Sequence, residues 1–339
     1  MSELANTVAG RGEDVICVVG MHRSGTSLIA QILKQSGLYL GPEDTLLGRN
    51  VGNQEGHFEH TGFIELNDAL LKHLGGSWEF PPELPSGWEN AASLEPLRSR
   101  ARELLRSFAG KSPWGWKDPR TTLLLPFWRS LIPNLRLVVC VRSPLAVANS
   151  LHARDKIAPA RGAYLWDRYV KASLVDTEGC RRLIVFYDRY FKNPETEVAV
   201  LLDFCALRPS ASTAAAATIR AELRHQPSDT AALLACDQIA RETKLLYLGL
   251  RGLELSGDDL ASANSDSYKT ITEFLRLLEN PAQQQIVTGL QARLNRSELA
   301  LANLRAEIWR DAKANHRWAY RFYRKILRPF QLARLRSSQ

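Results

Sequence analysis

Residues 20 to 27 of this chain have the composition of a loop that binds anions. Gly20 and Gly25 allow a tight turn and let the backbone come close to a ligand. Arg23 carries a planar, permanently charged guanidinium group that suits phosphate oxygens. The segment also contains three hydroxyl residues, Ser24, Thr26 and Ser27. This composition predicts a site for a phosphate-like anion, bound by Arg23, the hydroxyl groups and backbone N–H donors.

The same segment follows the glycine spacing of the nucleotide-triphosphate loop, G-x-x-x-x-G-K-[ST], with one difference. Thr26 stands where that loop has its lysine. Without the lysine, the segment lacks the usual contact with the β- and γ-phosphates, and Arg23 is left as its cation. We therefore expect a smaller anion, and a nucleotide kinase or another triphosphate-using enzyme is disfavoured.

Arg142 and Ser150 form a second candidate phosphate site further along the chain. Arg142 follows an apolar run of the strand type, and Pro144 suits the first turn of a helix. Arg142 is then expected at the carboxyl end of a strand and Ser150 on the next helix, where the pair can hold one phosphate. The alternative is an ordinary strand–helix junction with an arginine on its rim.

Together, the two segments resemble the nucleotide-binding motifs of sulfotransferases that use 3′-phosphoadenosine 5′-phosphosulfate (PAPS). The segment Arg23 to Ser27 is similar to the loop that binds the 5′-phosphosulfate, and Arg142 with Ser150 is similar to the 3′-phosphate site. Tyr187 resembles the tyrosine that family members place near the nucleotide base, although a tyrosine packed in the core fits this position equally. The resemblance covers residues 14 to 207 and implies PAPS as co-substrate, without a metal.

Lys117 is the expected second cation of this site. It lies in the segment Trp116 to Arg120, which resembles a strand end of the family whose lysine faces the co-substrate. Sulfuryl transfer requires that a proton leave the acceptor hydroxyl and that charge be stabilised on the departing phosphate. The resemblance implies that Lys117 and Arg23 stabilise this charge. The alternative for Lys117 is a surface ion pair with Asp118.

The general base is expected in the segment Asn53 to His60, which contains two carboxylates and two imidazoles. This segment resembles the N-P-x-G-[FY]-[FW]-E-[HN] motif of bacterial and carbohydrate-type members, whose glutamate corresponds to Glu59. We expect burial to raise the pKa of Glu59, so that it accepts the hydroxyl proton. The alternatives are His60, His57 and Glu55. The cytosolic branch is disfavoured, because Leu28 stands where its members have a tryptophan.

The candidate site residues can meet only if a sheet brings the ends of several strands together. The sequence predicts an α/β fold with a doubly wound parallel sheet of the P-loop-like sulfotransferase type. Buried strands are predicted at 15–20, within 114–120, at 135–141 and at 183–187. Helices are predicted at 26–37, 61–74, 94–108, 123–132, after Pro144, and at 164–175, 211–221 and 229–250. The glycine-rich stretch 38–60 is predicted to be a loop that lines the site.

The 339 residues are 45% hydrophobic and 24% charged, which is ordinary for a soluble globular protein. No apolar run reaches the ~20 residues of a membrane-spanning helix. Residues 1–14 lack the apolar stretch of a signal peptide, so a cytoplasmic location is expected. The five cysteines are odd in number and scattered, which indicates reduced thiols rather than disulfides or a metal site.

The formal net charge of +8 is carried by the C-terminal tail. Residues 313–339 contain eight Lys or Arg and no Asp or Glu, so the rest of the chain is formally neutral and no nucleic-acid surface is expected. Aromatic residues interleave with these cations and predict a basic amphipathic helix on an anionic membrane, with a tail folded onto the domain as the alternative. Residues 284–310 fit a heptad pattern that predicts homodimer contact, or else a helix on the domain's own surface.

Three regions are predicted: a sulfotransferase α/β domain at 14–255, a linker at 256–267, and a helical extension at 268–339. The expected function is transfer of the sulfuryl group of PAPS to a hydroxyl of a glycan or glycolipid. There are two alternatives. One is a non-catalytic module of the same fold that binds a nucleotide or a partner, and the other is a sulfotransferase for tyrosine or small-molecule hydroxyls.

Overall fold

The computed structural model of the protein describes residues 15–48, 56–208, 215, 216, 219 and 230–256. Within these ranges the strands are β1 (Val15–Gly20), β2 (Trp114–Lys117), β3 (Arg136–Val141) and β4 (Arg182–Phe186). They form a parallel sheet in the order β2-β1-β3-β4. The predicted α/β fold with a parallel sheet is confirmed.

Ten α-helices connect and cover these strands in the part of the chain that the structure describes. They are α1 (Thr26–Gln35), α2 (Thr61–His73), α3 (Glu95–Arg106), α4 (Leu125–Leu131), α5 (Pro144–Asp155), α6 (Pro159–Val175), α7 (Arg189–Lys192), α8 (Pro194–Phe204), α9 (Thr230–Ala235) and α10 (Arg241–Ser256). Short 3₁₀ turns lie at Glu43–Thr45, Trp88–Asn90, Ala92–Leu94 and Pro119–Leu124.

Strand β1 is buried on both faces, which explains its unbroken apolar sequence. Because side chains alternate along a strand, Cys17 and Val19 pack into one core cluster and Ile16 and Val18 into the other. The first cluster includes residues of α2, α4 and α6, and the second includes residues of α1 and α8. Helices therefore cover both faces of the sheet, as a doubly wound fold requires.

The order of the strands reverses between β1 and β3, and ligands in such sheets bind at this reversal, beyond the carboxyl ends of the strands. Gly20 at the end of β1 is in register with Cys140 in β3. Arg142 follows β3 directly, so the loop after β1 and the start of α5 lie side by side. The topology alone brings the two candidate phosphate motifs together.

The predicted helix at 229–250 is wrong in its continuity, because α9 and α10 are separated by a turn at 236–240. Leu233 and Ile239 are both buried. Six residues apart on one straight helix, these side chains would point about 120° apart, whereas the turn lets both reach the core. The amide of Ile239 donates to the carbonyl of Cys236 within this turn.

The predicted linker, heptad helix and basic tail lie outside the described residues, apart from Ser256, which ends α10. In the described ranges, no helix has both the length and the apolar character needed to cross a bilayer.

Candidate active site

The loop between β1 and α1 requires glycine at two positions. Gly20 has a φ of +136°, and a Cβ atom there would lie 2.5 Å from the carbonyl oxygen of Cys140. Gly25 has a φ of +94°, and a Cβ atom there would lie 2.2 Å from Cδ2 of Tyr187. Arg23 also has a positive φ, of 70°, which is uncommon for a residue with a side chain. This backbone geometry turns the chain sharply before α1 begins at Thr26.

The two candidate phosphate motifs meet at Arg23. Its Nε donates a hydrogen bond of 2.9 Å to Oγ of Ser150. Nη1 of Arg142 donates to the backbone carbonyl of Arg23 at 3.1 Å, and its guanidinium lies 4.3 Å from the ring centroid of Tyr187. Four of the predicted nucleotide-binding residues therefore form one connected group.

This group is rich in positive charge. Burial, together with the charges of Arg154 and Arg142, lowers the pKa of Arg23. Ser24 is buried, and its Oγ has no hydrogen-bond partner among the described residues. Crowded cations and an unsatisfied hydroxyl are both stabilised by an anion that binds between them. The geometry of the loop thus fits the phosphate-like ligand that its sequence predicts.

Lys117, at the end of β2, is buried beside the same loop, with only 2% of its side chain exposed. Its Nζ donates three hydrogen bonds: to Oε1 of Glu59 at 2.7 Å, to the carbonyl oxygen of His57 at 3.0 Å and to Oγ of Ser27 at 3.1 Å. The alternative of a surface ion pair with Asp118 is therefore wrong. Lys117 instead links the anion loop to the segment that was expected to supply the base.

Glu59 is buried against Lys117, with 7% of its side chain exposed. Burial alone would raise the pKa of Glu59, but the charge and hydrogen bond of Lys117 outweigh burial and lower the pKa below its usual value. The expectation of a raised pKa for Glu59 is wrong, because the partner that decides the direction of the shift, Lys117, lies on strand β2, far from Glu59 in sequence.

His57 and His60 occupy different environments. Nδ1 of His57 lies 3.9 Å from Oε2 of Glu59, and its Nε2 is buried without a hydrogen-bond partner in the described part of the chain. Burial lowers the pKa of His57, so the imidazole is neutral near pH 7. His60 instead caps the N-terminus of α2, where its Nδ1 accepts a hydrogen bond of 3.1 Å from the amide of Gly62. The structure places His57, and not His60, next to the Lys117–Glu59 pair. Glu55 lies outside the described residues.

A buried polar network behind Lys117 was not predicted. Asp118 accepts hydrogen bonds from Nδ2 of Asn67 at 2.8 Å and from the amide and Nη1 of Arg120, both at 3.0 Å. Oδ1 of Asn67 in turn accepts from Nε1 of Trp128 at 2.8 Å. These contacts fix the backbone on the carboxyl side of Lys117 and so hold its side chain in place. The available sequence signal was Asp118-Pro119, a cap followed by proline at the start of the 3₁₀ turn.

The described residues contain no group of three or more His, Cys, Asp or Glu side chains arranged to hold a metal ion.

Comparison with known proteins gives one match to a protein family. The model described as "Sulfotransferase family" matches residues 15–210, more than half of the chain. A search among curated proteins finds no match.

Solved structures similar to this chain include the following three. Sulfotransferase STF1 from Mycobacterium tuberculosis is 14% identical, with 61% of this chain and 71% of that chain covered and a TM-score of 0.43. The sulfotransferase domain of the Synechococcus olefin synthase is 16% identical, with 77% and 94% covered and a TM-score of 0.40. Sulfotransferase STF9 from Mycobacterium avium is 16% identical, with 74% and 78% covered and a TM-score of 0.41. Because these scores are low, the family assignment depends on the family model.

Proposed function

The chain belongs to the sulfotransferase family, and from this premise we propose that it transfers the sulfuryl group of PAPS to a hydroxyl of a glycan or glycolipid. The observation that carries the proposal is the meeting of two groups at one loop. Arg23, Arg142 and Ser150 converge on one side of it. On the other side, Lys117 donates hydrogen bonds both to Ser27 of the loop and to Glu59.

The first group is suited to the phosphates of the nucleotide. Arg142 and Ser150 would hold the 3′-phosphate, and Arg23 with the backbone amides at the start of α1 would hold the 5′-phosphosulfate. The unsatisfied Oγ of Ser24 supplies a further donor within this loop. Tyr187, whose ring packs under Arg142, orients that guanidinium. Bound there, PAPS supplies an electrophilic sulfur with a phosphate leaving group.

The second group is suited to the proton and to the developing charge. Lys117 would stabilise negative charge between the sulfuryl group and the departing phosphate, since its Nζ already reaches Ser27 in the anion loop. Glu59 would accept the proton of the acceptor hydroxyl at Oε2, the oxygen that does not face Lys117.

Lys117 couples these two roles. While Lys117 donates to Glu59, the pKa of Glu59 stays low and its carboxylate is a weak base. Negative charge in the loop competes for the same ammonium group, and weakening of the hydrogen bond from Lys117 to Glu59 makes that carboxylate more basic. We therefore expect the base to be activated when the anion loop is filled. The competing base is His57. Its imidazole is neutral, and its Nε2 has no hydrogen-bond partner among the described residues.

The experiment is a transfer assay with sulfate-labelled PAPS, performed without magnesium on oligosaccharide, glycolipid and tyrosine-peptide acceptors. The proposal predicts label on a saccharide hydroxyl and none with Lys117→Ala. If only the peptide is labelled, the acceptor is a tyrosine hydroxyl and not a glycan hydroxyl. Binding of adenosine 3′,5′-bisphosphate without transfer to any acceptor would instead indicate a non-catalytic nucleotide-binding module.

A further inference from the structure

An aromatic wall borders the anion loop on the side of α6. The ring of His22, the residue before Arg23, lies 4.4 Å from the ring of Trp78 and 6.1 Å from that of Tyr169. Oη of Tyr169 donates a hydrogen bond of 3.1 Å to the carbonyl of Trp78. The segment that follows α2 is thus fixed against α6, immediately beside the group that is suited to the nucleotide.

Three polar side chains of this wall and its neighbours, those of His22, Tyr164 and Glu79, have a polar group without a hydrogen bond in the part of the chain that the structure describes. Nε2 of His22 and Oη of Tyr164 are both buried without a hydrogen bond. The half-buried carboxylate of Glu79 makes neither a hydrogen bond nor an ion pair with any described residue. A buried polar group without a partner destabilises a fold by about 1–3 kcal/mol. The two buried groups, Nε2 of His22 and Oη of Tyr164, therefore point to a ligand that supplies the missing hydrogen bonds.

The charges around the wall select a neutral ligand. Burial lowers the pKa of His22 well below its usual value, so its ring carries no charge. Arg154 is held by the carboxylate of Asp155 through contacts of 2.7 and 2.8 Å. The carboxylate of Glu79, on which the charges of the described residues Arg161 and Arg154 act without a hydrogen bond or ion pair, disfavours an anionic ligand, whereas the cations of the neighbouring loop disfavour a cationic one.

Arg161 keeps the wall in place and does not add a cation for the ligand. Its Nη2 donates to the backbone carbonyl of Glu79 at 2.6 Å. Its guanidinium lies over the rings of Phe80 and Tyr164, at 5.0 and 4.8 Å from their centroids. Because Arg161 contacts both the backbone of Glu79 and the ring of Tyr164, it orients these two residues relative to each other.

We infer that His22, Trp78, Glu79 and Tyr164 form the acceptor subsite and bind a neutral saccharide ring. An aromatic face packs on the C–H face of a sugar, the Glu79 carboxylate accepts hydrogen bonds from hydroxyls, and His22 and Tyr164 complete the contacts. This inference rests on the proposed function, since the subsite would hold the hydroxyl that is sulfated near Lys117 and Glu59.

The test uses the full chain saturated with adenosine 3′,5′-bisphosphate. Neutral methyl hexosides are compared with the matching hexosamines and hexuronic acids by saturation-transfer NMR, at millimolar sugar. Neutral sugars are expected to bind best. Glu79→Gln and Tyr164→Phe should each weaken that binding about tenfold, the effect of losing one good hydrogen bond. Glu83→Gln is the matched control, since Glu83 is in the same segment but is paired with Arg168 at 3.3 Å.

Stability separates this subsite from a structural role. Removing an unpartnered hydroxyl should not lower the melting temperature, so Tyr164→Phe should be as stable as the parent chain and yet bind sugar less tightly. The inference is overturned if no neutral sugar binds, if charged sugars bind better, or if both variants bind as the parent does. If the parent chain does not bind the nucleotide, the proposed function is overturned. If it binds the nucleotide but the sugar-binding results fail, only the subsite is overturned.

Discussion

Replacing Glu59 by Gln should separate the chemistry of the site from its stability. The Glu59–Lys117 pair has an Oε1–Nζ distance of 2.7 Å, and its side chains are 7% and 2% exposed. Removing one partner of a buried pair destabilises a fold by 3–5 kcal/mol. The amide oxygen of Gln can still accept from Lys117, so we expect about 3 kcal/mol, measured as the free energy of urea unfolding at pH 7.

The matched control is Glu43→Gln. Glu43 pairs with Lys34 at 2.6 Å, but its side chain is 79% exposed. An exposed pair of this kind contributes about 0–1 kcal/mol, so the same chemical change should have little effect there. Equal effects of the two substitutions would mean that burial does not control the contribution of Glu59.

The pH dependence has a definite direction. The pKa of Glu59 is lower in the folded chain than its ordinary value of 4.5. The stability that this carboxylate contributes is therefore present above pH 4.5 and is lost as the pH falls below it, through the folded pKa. The difference in unfolding free energy between parent and Glu59→Gln should narrow in that range. A difference that stays constant down to full protonation would refute the ion pair as its source.

The same variant should keep its affinity for adenosine 3′,5′-bisphosphate and lose turnover by about 10²–10⁴, the range for removal of a general base. Near-normal turnover would transfer the role of base to His57.

The other predictions concern the loop and its neighbours. Arg142→Ala should weaken PAPS binding by about 1.5–3 kcal/mol in calorimetry and leave the affinity for adenosine 5′-phosphosulfate unchanged; equal losses for both ligands would contradict the 3′-phosphate role. Gly25→Ala should lower both the melting temperature and nucleotide affinity more than Gly37→Ala, since Gly37 shares a positive φ, of +102°, but has open space around it. His60→Asn keeps an acceptor at the start of α2 and should leave turnover close to that of the parent, whereas a large loss would make His60 the base.

Much of the nucleotide site could be predicted from sequence because its determinants are local. Each strand is a short apolar run, and in a parallel sheet the residues that follow such runs meet at one edge. Gly20 and Gly25 mark the loop whose backbone only glycine adopts without strain. The start of α1 at Thr26 and of α5 at Pro144 followed from the same local signals.

The base region could not be predicted to the same depth, because its electrostatics depend on distant residues. The low pKa of Glu59 is set by Lys117, which is remote in sequence. The contact of His22 with Trp78, and the network of Asn67 with Trp128, likewise form only in the folded chain. The sequence pattern at 229–250 is that of one continuous helix, but in the folded chain both Leu233 and Ile239 are buried, which requires the turn between α9 and α10.

Helix α8 was missed, although local signals for it exist. Pro194 lies in its first turn, and Glu195 and Glu197 follow there, which favours a helix start. The apolar residues of α8 complete the second core cluster.

The most direct test of the central claim is the nucleotide preference of the full chain, measured by titration calorimetry without magnesium. If Arg23 and Arg142 each hold one phosphate, adenosine 3′,5′-bisphosphate should bind at least about tenfold more tightly than adenosine 5′-monophosphate, and ATP should gain nothing from its extra phosphates. Equal affinities for the bisphosphate and the monophosphate, or tighter binding of ATP, would contradict the account.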